Sequence, residues 1–211
     1  GGIVCFNDFK TYTKAKLLRG WGRSSATFNE SEDIKSRFNT KVDGIPYDGK
    51  YIFSDIGYNF LPSEVSAAFA LEQLKKLKSN IKIREKNFKS MRNFFKENYK
   101  NYIDLPTQEP GLRTGWLAYP VILKKDKHIS RTKFQIFLEK NSIQTRTVFT
   151  GNILRQPIMK KRFYKKHKDA ENNANNIMIN GLLLGCHHGL NEKSLKFMKN
   201  KIDLFFKKYV Y

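Results

Sequence analysis

The sequence predicts a mixed α/β protein, and three observations support this prediction. Apolar residues make up 40% of the chain and aromatic residues 14%, which indicates a globular protein rather than a disordered one. A long helix with a clear start is predicted after residue 62. Beyond residue 102, short apolar runs alternate with amphipathic stretches of helical length. Strands separated by helices form either an α/β or an α+β unit, and the pattern leaves that choice open.

The first fifty residues predict little regular structure. Residues 2–6, GIVCF, are typical of a short buried strand. Asp8 is placed to cap a helix over residues 9–19. Residues 20–53 are polar and interrupted by glycine and proline. They predict a long excursion with short strands, one of them around residues 51–53.

The long helix begins within the stretch GYNFLPSEVSAAFALEQLKKL, residues 57–77. Ser63 can cap its free amides, and Glu64 complements the positive end of the helix dipole. The helix is predicted to continue to about Tyr99. Apolar residues recur every three positions in its first half and predict a narrow seam for close packing. The seam consists of Val65, Ala68, Leu71, Leu74 and Leu77.

The second half of the chain is predicted to form a smaller domain. We place the boundary near Tyr102, which gives domains over residues 1–101 and 102–211. The predicted elements of the second domain alternate between strand and helix. They are strand 116–123, helix 131–140, strand 144–149, helix 169–180, strand 182–185 and helix 192–209.

The formal charge of +21 raises the possibility of a nucleic-acid partner. The lysines are spread along the chain without a block of like charges, so we expect no nucleic acid as a specific partner. A basic, non-catalytic nucleic-acid-binding protein is kept as the alternative function. Cys5 and Cys186 are too few for a disulfide framework or a cysteine metal site. No run reaches the length needed to span a bilayer, so the sequence predicts no membrane association and favours a cytoplasmic location.

Three stretches carry candidate site residues. Asn59 offers an amide beside the free backbone donors of a helix start, where a phosphate can bind; the alternative is an Asn that only stabilises its own turn. Arg146, Asn152 and Arg155 lie around a Gly-Asn turn, where arginine forks can bind phosphate or pair with surface carboxylates. His188 follows an apolar strand beside a second histidine. Adjacent strand residues point apart, so no metal site is expected there.

Residues 57–77 resemble the GYN-x-x-x-(S/T)-(E/D)-x-x-A-A-x-x-L-x-Q-L segment of the DegT/StrS-type sugar aminotransferases, which are fold type I enzymes dependent on pyridoxal phosphate. The resemblance implies a homodimer with shared active sites. In such a dimer Asn59 reaches the phosphate of the partner subunit's cofactor, pyridoxal 5′-phosphate or pyridoxamine 5′-phosphate. Leu61 stands where many members of the family carry a basic residue.

Residues 145–157 resemble the T-R-x-x-F-x-G-N-x-x-R-Q-P segment of the nucleotide-sugar 3-dehydratase branch. This implies that Arg146, Asn152 and Arg155 contact the substrate. His188 lies where the family often shows L-P-L-(H/Y)-P-G and is expected to line the same site. The cysteines of the iron–sulfur dehydratases are missing between residues 21 and 38, so no cluster is expected.

Taken over the whole chain, the resemblance implies the C-terminal half of such an enzyme: the end of the large cofactor domain with a linking helix, then the small α/β domain. The catalytic lysine or histidine is expected before Gly1, so the isolated chain is expected to be inactive, and its first hundred residues mobile or self-associating. The implied substrate is a nucleotide-linked 4-keto-6-deoxy sugar of surface polysaccharide or O-antigen biosynthesis. The sequence leaves open whether the reaction is 3-dehydration or transamination with an amino donor such as glutamate.

Overall fold

The computed structural model describes residues 2–28, 33–127, 129–165 and 170–210, which form two compact units, residues 1–73 and 74–211. The helices are α1 Phe9–Arg19, α2 Ile34–Phe38, α3 Glu64–Asn98, α4 Arg131–Lys140, α5 Ala170–Asn180 and α6 Glu192–Tyr209. The strands are β1 Thr40–Val42, β2 Ile45–Tyr47, β3 Ile103–Asp104, β4 Ala118–Leu123, β5 Thr145–Thr147 and β6 Gly181–Gly185. Residue 169, the predicted start of the fourth long helix, lies outside the described residues.

The first unit contains α1, α2 and a small hairpin. Asp8 caps α1 as predicted, because its carboxylate accepts a hydrogen bond of 2.7 Å from the backbone N–H of Thr11. Strands β1 and β2 pair antiparallel. Asp43 and Gly44 join them with φ angles of 51° and 83°, the left-handed conformation that a tight two-residue hairpin turn requires.

Two strands predicted for the first unit are absent from its described residues. Residues 2–6 form no strand, and Ile3 and Val4 are 93% and 74% exposed. The prediction is wrong there because a strand needs a neighbour for its backbone groups, and no described residue pairs with this segment. The expected strand at 51–53 is also wrong: Gly49–Tyr51 is a 3₁₀ turn, and Phe53 makes only an isolated bridge with Arg23.

Helix α3 has the start and the length that the sequence predicts. The hydroxyl of Ser63 accepts from the backbone N–H of Ser66 at 3.2 Å, and the helix continues without a break to Asn98. Only its last third is buried, through Asn87, Phe88, Met91 and Phe95. The predicted seam in its first half is exposed at its large members, and Val65 is 81% accessible.

The second unit is built on a four-stranded sheet of order β3-β4-β6-β5. All three pairings are antiparallel, which settles the arrangement that the sequence left open. Large apolar side chains from α3, β4, α4, β6 and α6 form one core. Phe95 stacks on Tyr119 at 5.3 Å between ring centroids, and Tyr99 stacks on Phe206 at 4.1 Å.

The division of the chain into two compact units falls between residues 73 and 74, whereas the sequence places a domain boundary after residue 101. The difference arises because the second half of α3 contributes Phe88, Met91 and Phe95 to the core of the second unit. The division of the complete protein into a cofactor domain and a small domain stays a prediction.

Candidate functional site

The segment that carries Asn59 is held against the end of α1 by backbone hydrogen bonds. The N–H of Tyr58 donates to the carbonyl of Leu18 at 2.6 Å, and the carbonyl of Tyr58 accepts from Trp21 at 2.9 Å. Asn59 itself forms an isolated antiparallel bridge with Gly20. The backbone of this candidate residue is therefore fixed by contacts some forty positions away in the sequence.

Two glycines allow this close approach. A Cβ atom on Gly57 would lie 2.2 Å from the backbone nitrogen of Gly22. Gly22 has a φ of +76°, and a Cβ there would lie 1.8 Å from the carbonyl oxygen of Asp55. No side chain fits at either position without movement of the backbone. The glycine that begins the GYN sequence is thus required by packing.

The side chain of Asn59 is exposed and makes no hydrogen bond with any of the described residues. The next two residues, Phe60 and Leu61, line a cleft of about 580 Å³. Lys16 and Arg19, from the last turns of α1, line the same cleft. Cations and amides are the kinds of donor that bind an anionic phosphate. Lys16, Arg19 and the exposed amide of Asn59 are therefore of chemical types that fit a phosphate.

A second group of candidate residues converges on Asn175 of α5. The side-chain oxygen of Asn175 accepts from Nδ2 of Asn152 at 2.9 Å and from Nε of Arg155. Asn152 is 2% exposed, and its own oxygen accepts from the backbone N–H of Leu154 at 3.0 Å. Both polar groups of Asn152 are therefore bonded within the chain. Arg155 is exposed, and its Nη1 and Nη2 make no hydrogen bond with any of the described residues, whereas its Nε is anchored to Asn175.

Arg146 lies apart from this network. It is exposed on β5, an edge strand of the sheet, and its Nη1 donates to the carbonyl of Thr145 at 2.9 Å. When the side-chain amide of Gln144 is placed in the orientation that allows hydrogen bonds to its neighbours, its oxygen atom accepts from Nη2 of Arg146 at 2.7 Å. The structure thus joins Asn152 to Arg155, while Arg146 makes its bonds with its neighbours along the chain.

His188 lies in a turn that α3 holds in place. Asn87 of α3 is buried, and its Nδ2 donates to the carbonyls of His187 at 3.0 Å and Leu190 at 3.2 Å. The rings of His187 and His188 are 6.5 Å apart and 86° from parallel, so they point in different directions. Burial raises the pKa of the neighbouring Cys186 to about 12, which keeps it a neutral thiol.

No helix among the described residues is both long enough and apolar enough to cross a membrane.

Comparison with known proteins identifies the family. The model of the DegT/DnrJ/EryC1/StrS aminotransferase family matches residues 1–203. GDP-4-keto-6-deoxy-D-mannose 3-dehydratase of Yersinia pseudotuberculosis is 34% identical over 191 residues, which are 89% of this chain and 45% of that protein. Lipopolysaccharide biosynthesis protein RfbH of Salmonella typhimurium (strain LT2) is 27% identical over 209 residues, 98% of this chain and 47% of that protein.

The same fold occurs in a crystal structure of GDP-4-keto-6-deoxymannose-3-dehydratase with a trapped PLP-glutamate geminal diamine. It superposes with a TM-score of 0.74 at 26% identity, over 92% of this chain and 48% of that one. The predicted fold class is therefore confirmed. The chain spans about half the length of the curated relatives it matches. The resemblance seen in the sequence is also confirmed, and the chain belongs to the DegT/DnrJ/EryC1/StrS aminotransferase family.

Proposed function

We propose that the protein containing this chain is a pyridoxal-phosphate-dependent enzyme acting on a nucleotide-linked 4-keto-6-deoxy sugar in surface polysaccharide biosynthesis. The family match over residues 1–203 carries this proposal. The 34% identity to a 3-dehydratase supports the substrate class. None of the relatives named above is a nucleic-acid-binding protein, so nothing supports the alternative drawn from the charge of +21.

Asn59 is proposed to bind the phosphate of the cofactor in the partner subunit of a homodimer. Its exposed amide has no hydrogen-bond partner among the described residues and its backbone is fixed, so it could bind a ligand with little loss of conformational freedom. Lys16 and Arg19 are proposed to add positive charge near the same phosphate. When bound, pyridoxal phosphate supplies an electron sink for chemistry at the neighbouring carbon.

Arg155 is proposed to bind the diphosphate or a pair of hydroxyls of the sugar nucleotide. A planar guanidinium suits such bidentate contacts, and the bond from its Nε to Asn175 orients the two remaining nitrogens. Asn152 is proposed to act through Asn175 as a positioning residue, because its own polar groups are already bonded. Arg146 and His188 are proposed as further substrate contacts, since both are exposed.

Between the two reactions we favour 3-dehydration, because the stretch 145–157 resembles that branch and a 3-dehydratase is 34% identical. Transamination is the second candidate and is supported by the name of the family. Glutamate is the proposed amino donor in either case, since the structural neighbour holds a PLP-glutamate adduct. The cytoplasmic location stays a prediction of the sequence.

The cofactor role of Asn59 is tested by cofactor affinity in the protein expressed from its complete gene. Asn59→Ala removes one charge-assisted hydrogen bond, so pyridoxal phosphate should bind about 10- to 150-fold more weakly. Asn101→Ala, in an exposed turn, is the matched control and should leave affinity unchanged. Equal affinity in both variants and the unmodified protein would make Asn59 a turn residue only.

The substrate role of Arg155 is tested by sugar-nucleotide affinity in the same protein. Arg155→Lys keeps the charge and loses the fork, and Asn175→Ala keeps the arginine and removes its anchor. We expect Arg155→Lys to weaken binding about tenfold or more, and Asn175→Ala by a smaller factor. Arg162→Lys, at a nearby exposed arginine, is the control and should have no effect. If Arg155→Lys binds the sugar nucleotide as Arg162→Lys does, Arg155 is structural.

A further inference from the structure

Arg84 of α3 has a guanidinium group without a counterion among the described residues. Its Nη2 lies 3.4 Å from Nδ1 of His188, which is at the long end of the range for a hydrogen bond. Its Nε is buried and has no hydrogen-bond partner in the described part of the chain. An arginine stays charged at any physiological pH, so the charge cannot be relieved by loss of a proton.

The neighbouring carboxylates are engaged elsewhere. Glu85 accepts from Nε of Arg113 at 2.6 Å and from its Nη2 at 3.0 Å. Glu192 accepts from Nζ of Lys86 at 2.8 Å. Arg113, which packs against α3, thus has the bidentate carboxylate partner that is common for an arginine. Among the described residues, Arg84 has no such partner, and its Nη2 faces the imidazole of His188.

The surroundings of Arg84 are rigid. Asn87 fixes the turn that carries His188 through the carbonyls of His187 and Leu190. The thiol of Cys186 lies 3.6 Å from the carbonyl oxygen of Arg84, so the helix and the turn also meet at the backbone of Arg84 itself. Donors held by a helix and a clamped turn are preorganised, which lowers the entropic cost of binding a ligand.

We propose that Arg84 and His188 together bind the α-carboxylate of an amino acid, the amino donor of the proposed function on which this inference rests. A carboxylate placed between Nη2 of Arg84 and the ring of His188 replaces one long contact with charge-assisted hydrogen bonds of ordinary length. It also balances the charge of Arg84, as Glu85 balances that of Arg113. Arg155 is the arginine proposed to bind the sugar nucleotide, so the amino donor and the sugar nucleotide would each be bound by a different arginine.

The inference is tested by direct binding of L-glutamate, measured by NMR on the Arg Nε–H and His ring resonances of the protein from its complete gene. Inorganic phosphate and 4-aminobutyrate, which lacks the α-carboxylate, are titrated in parallel. We expect L-glutamate to shift the resonances of Arg84 and His188 at lower concentration than either. Shifts by phosphate but not by glutamate would identify a phosphate site and overturn the proposal.

Variants separate this site from the rest of the proposed function. Arg84→Gln should weaken glutamate binding about tenfold or more, His188→Gln by a smaller factor, and Arg84→Lys should restore only part of the affinity. In Arg84→Gln and Arg84→Lys, the affinities for pyridoxal phosphate and for the sugar nucleotide should stay within about twofold of those of the unmodified protein. His188→Gln is left out of this comparison because His188 is also a proposed substrate contact. Lys82→Gln removes an exposed charge from the same helix and is the matched control.

Two outcomes would count against the site. The proposal is overturned if Arg84→Gln binds glutamate as tightly as Lys82→Gln does. It is also overturned if Arg84→Gln weakens the binding of glutamate, pyridoxal phosphate and the sugar nucleotide by the same factor, because that result indicates a structural arginine. A protein that binds pyridoxal phosphate and sugar nucleotide but shows no glutamate shift at Arg84 refutes this inference alone. A protein that binds neither of those two ligands refutes the proposed function.

Discussion

The two compact units are stabilised in different ways. In the second unit, residues 74–211, large apolar side chains are fully buried in a continuous core. In the described part of the first unit no large apolar side chain is buried. The buried residues there are Gly20, Gly22, Ser25 and Gly49. One unit thus gains its stability from the hydrophobic effect, while the other depends on close backbone approach and polar contacts.

The polar contacts of the first unit are mostly local. Asp8 and Asp33 cap α1 and α2. Asp48 pairs with Arg37, with Nε of the arginine 3.2 Å from Oδ1, and also bonds the backbone N–H of Lys50 at 2.9 Å. Exposed or half-exposed contacts of this kind contribute little each. The comparison therefore teaches that the two units should respond differently to the same kind of substitution.

The largest contrast is expected from two identical substitutions in α3. Phe95 is completely buried against Tyr119, whereas Phe69 is 68% exposed. Phe95→Ala removes a packed ring from the core and should lower the free energy of unfolding by about 3–5 kcal/mol. Phe69→Ala should change it by less than about 0.5 kcal/mol.

Urea unfolding followed by circular dichroism measures both values. If the two variants lose the same stability, the face of α3 that carries Phe69 is buried in solution, through association or contact with other parts of the protein. Repeating the Phe69→Ala measurement at several protein concentrations distinguishes association from the other case.

A second contrast lies between two glycines with positive φ in the first unit. A Cβ on Gly44 would meet nothing within 4 Å, whereas on Gly22 it would meet the backbone of Asp55. Gly44→Ala should lower the free energy of unfolding by about 1–2 kcal/mol, because alanine is less stable in the left-handed conformation. Gly22→Ala also distorts the backbone and should lower the free energy of unfolding by roughly 2–4 kcal/mol in total.

Fluorescence of Trp21 in a Trp116→Phe background reports the first unit during urea unfolding. Loss of cofactor affinity is expected with Gly22→Ala but not with Gly44→Ala, because Gly22 packs against Gly57, two residues before Asn59. Equal unfolding curves for the two variants would show that the close approach at Gly22 does not limit the stability of this unit.

The helices were predictable because their signals are local. The bounds of α4, Arg131–Lys140, and of α6, Glu192–Tyr209, agree with the sequence prediction. Asn191 caps α6, because its side-chain oxygen accepts from the backbone N–H of Ser194 at 2.9 Å. An amphipathic period and a capping residue lie within one or two turns of each other, so a short stretch of sequence contains all the information.

The missing strand at 2–6 and the exposed seam of α3 show where local signals fail. Both predictions concern burial, which needs a partner surface, and an apolar pattern does not say where that surface is. The family resemblance in residues 57–77 and 145–157 identified Asn59 and Arg155 as candidates because motifs are contiguous in sequence.

Supporting residues of the candidate site could not be found in the same way. Asn175 is twenty positions from Arg155, within a helix of many asparagines. Arg84 is 104 positions from His188. Only the folded chain shows that Asn152 already has both polar groups bonded, which changes its proposed role from contact to positioning.

The smallest contrast is expected from acid, acting on the carboxylates of the first unit. The side-chain hydrogen bond from Arg37 holds the pKa of Asp48 below its usual value, with a further contribution from the backbone N–H of Lys50. Hydrogen bonds from Thr11 likewise lower the pKa of Asp8. Because each pKa is lower in the folded than in the unfolded state, the stabilisation is present above the unfolded pKa of about 3.9. It is lost as the pH falls through the folded value.

Glu85, Glu139 and Glu192 of the second unit also have lowered pKa values, but that unit keeps its hydrophobic core when they are protonated. Acid should therefore unfold the first unit before the core of the second, where Trp116 stacks on Phe88 with the ring centroids 3.7 Å apart. Trp21 fluorescence in Trp116→Phe and Trp116 fluorescence in Trp21→Phe report the two units separately. We expect the Trp21 transition at the higher pH. Asp48→Asn should make the acid transition of Trp21 fluorescence less steep, because unfolding of the variant takes up one proton fewer. Asp43→Asn, in the hairpin turn, should leave that transition unchanged. A single acid transition shared by both tryptophans would show that the two units unfold together and that the polar contacts of the first unit are not its weak point.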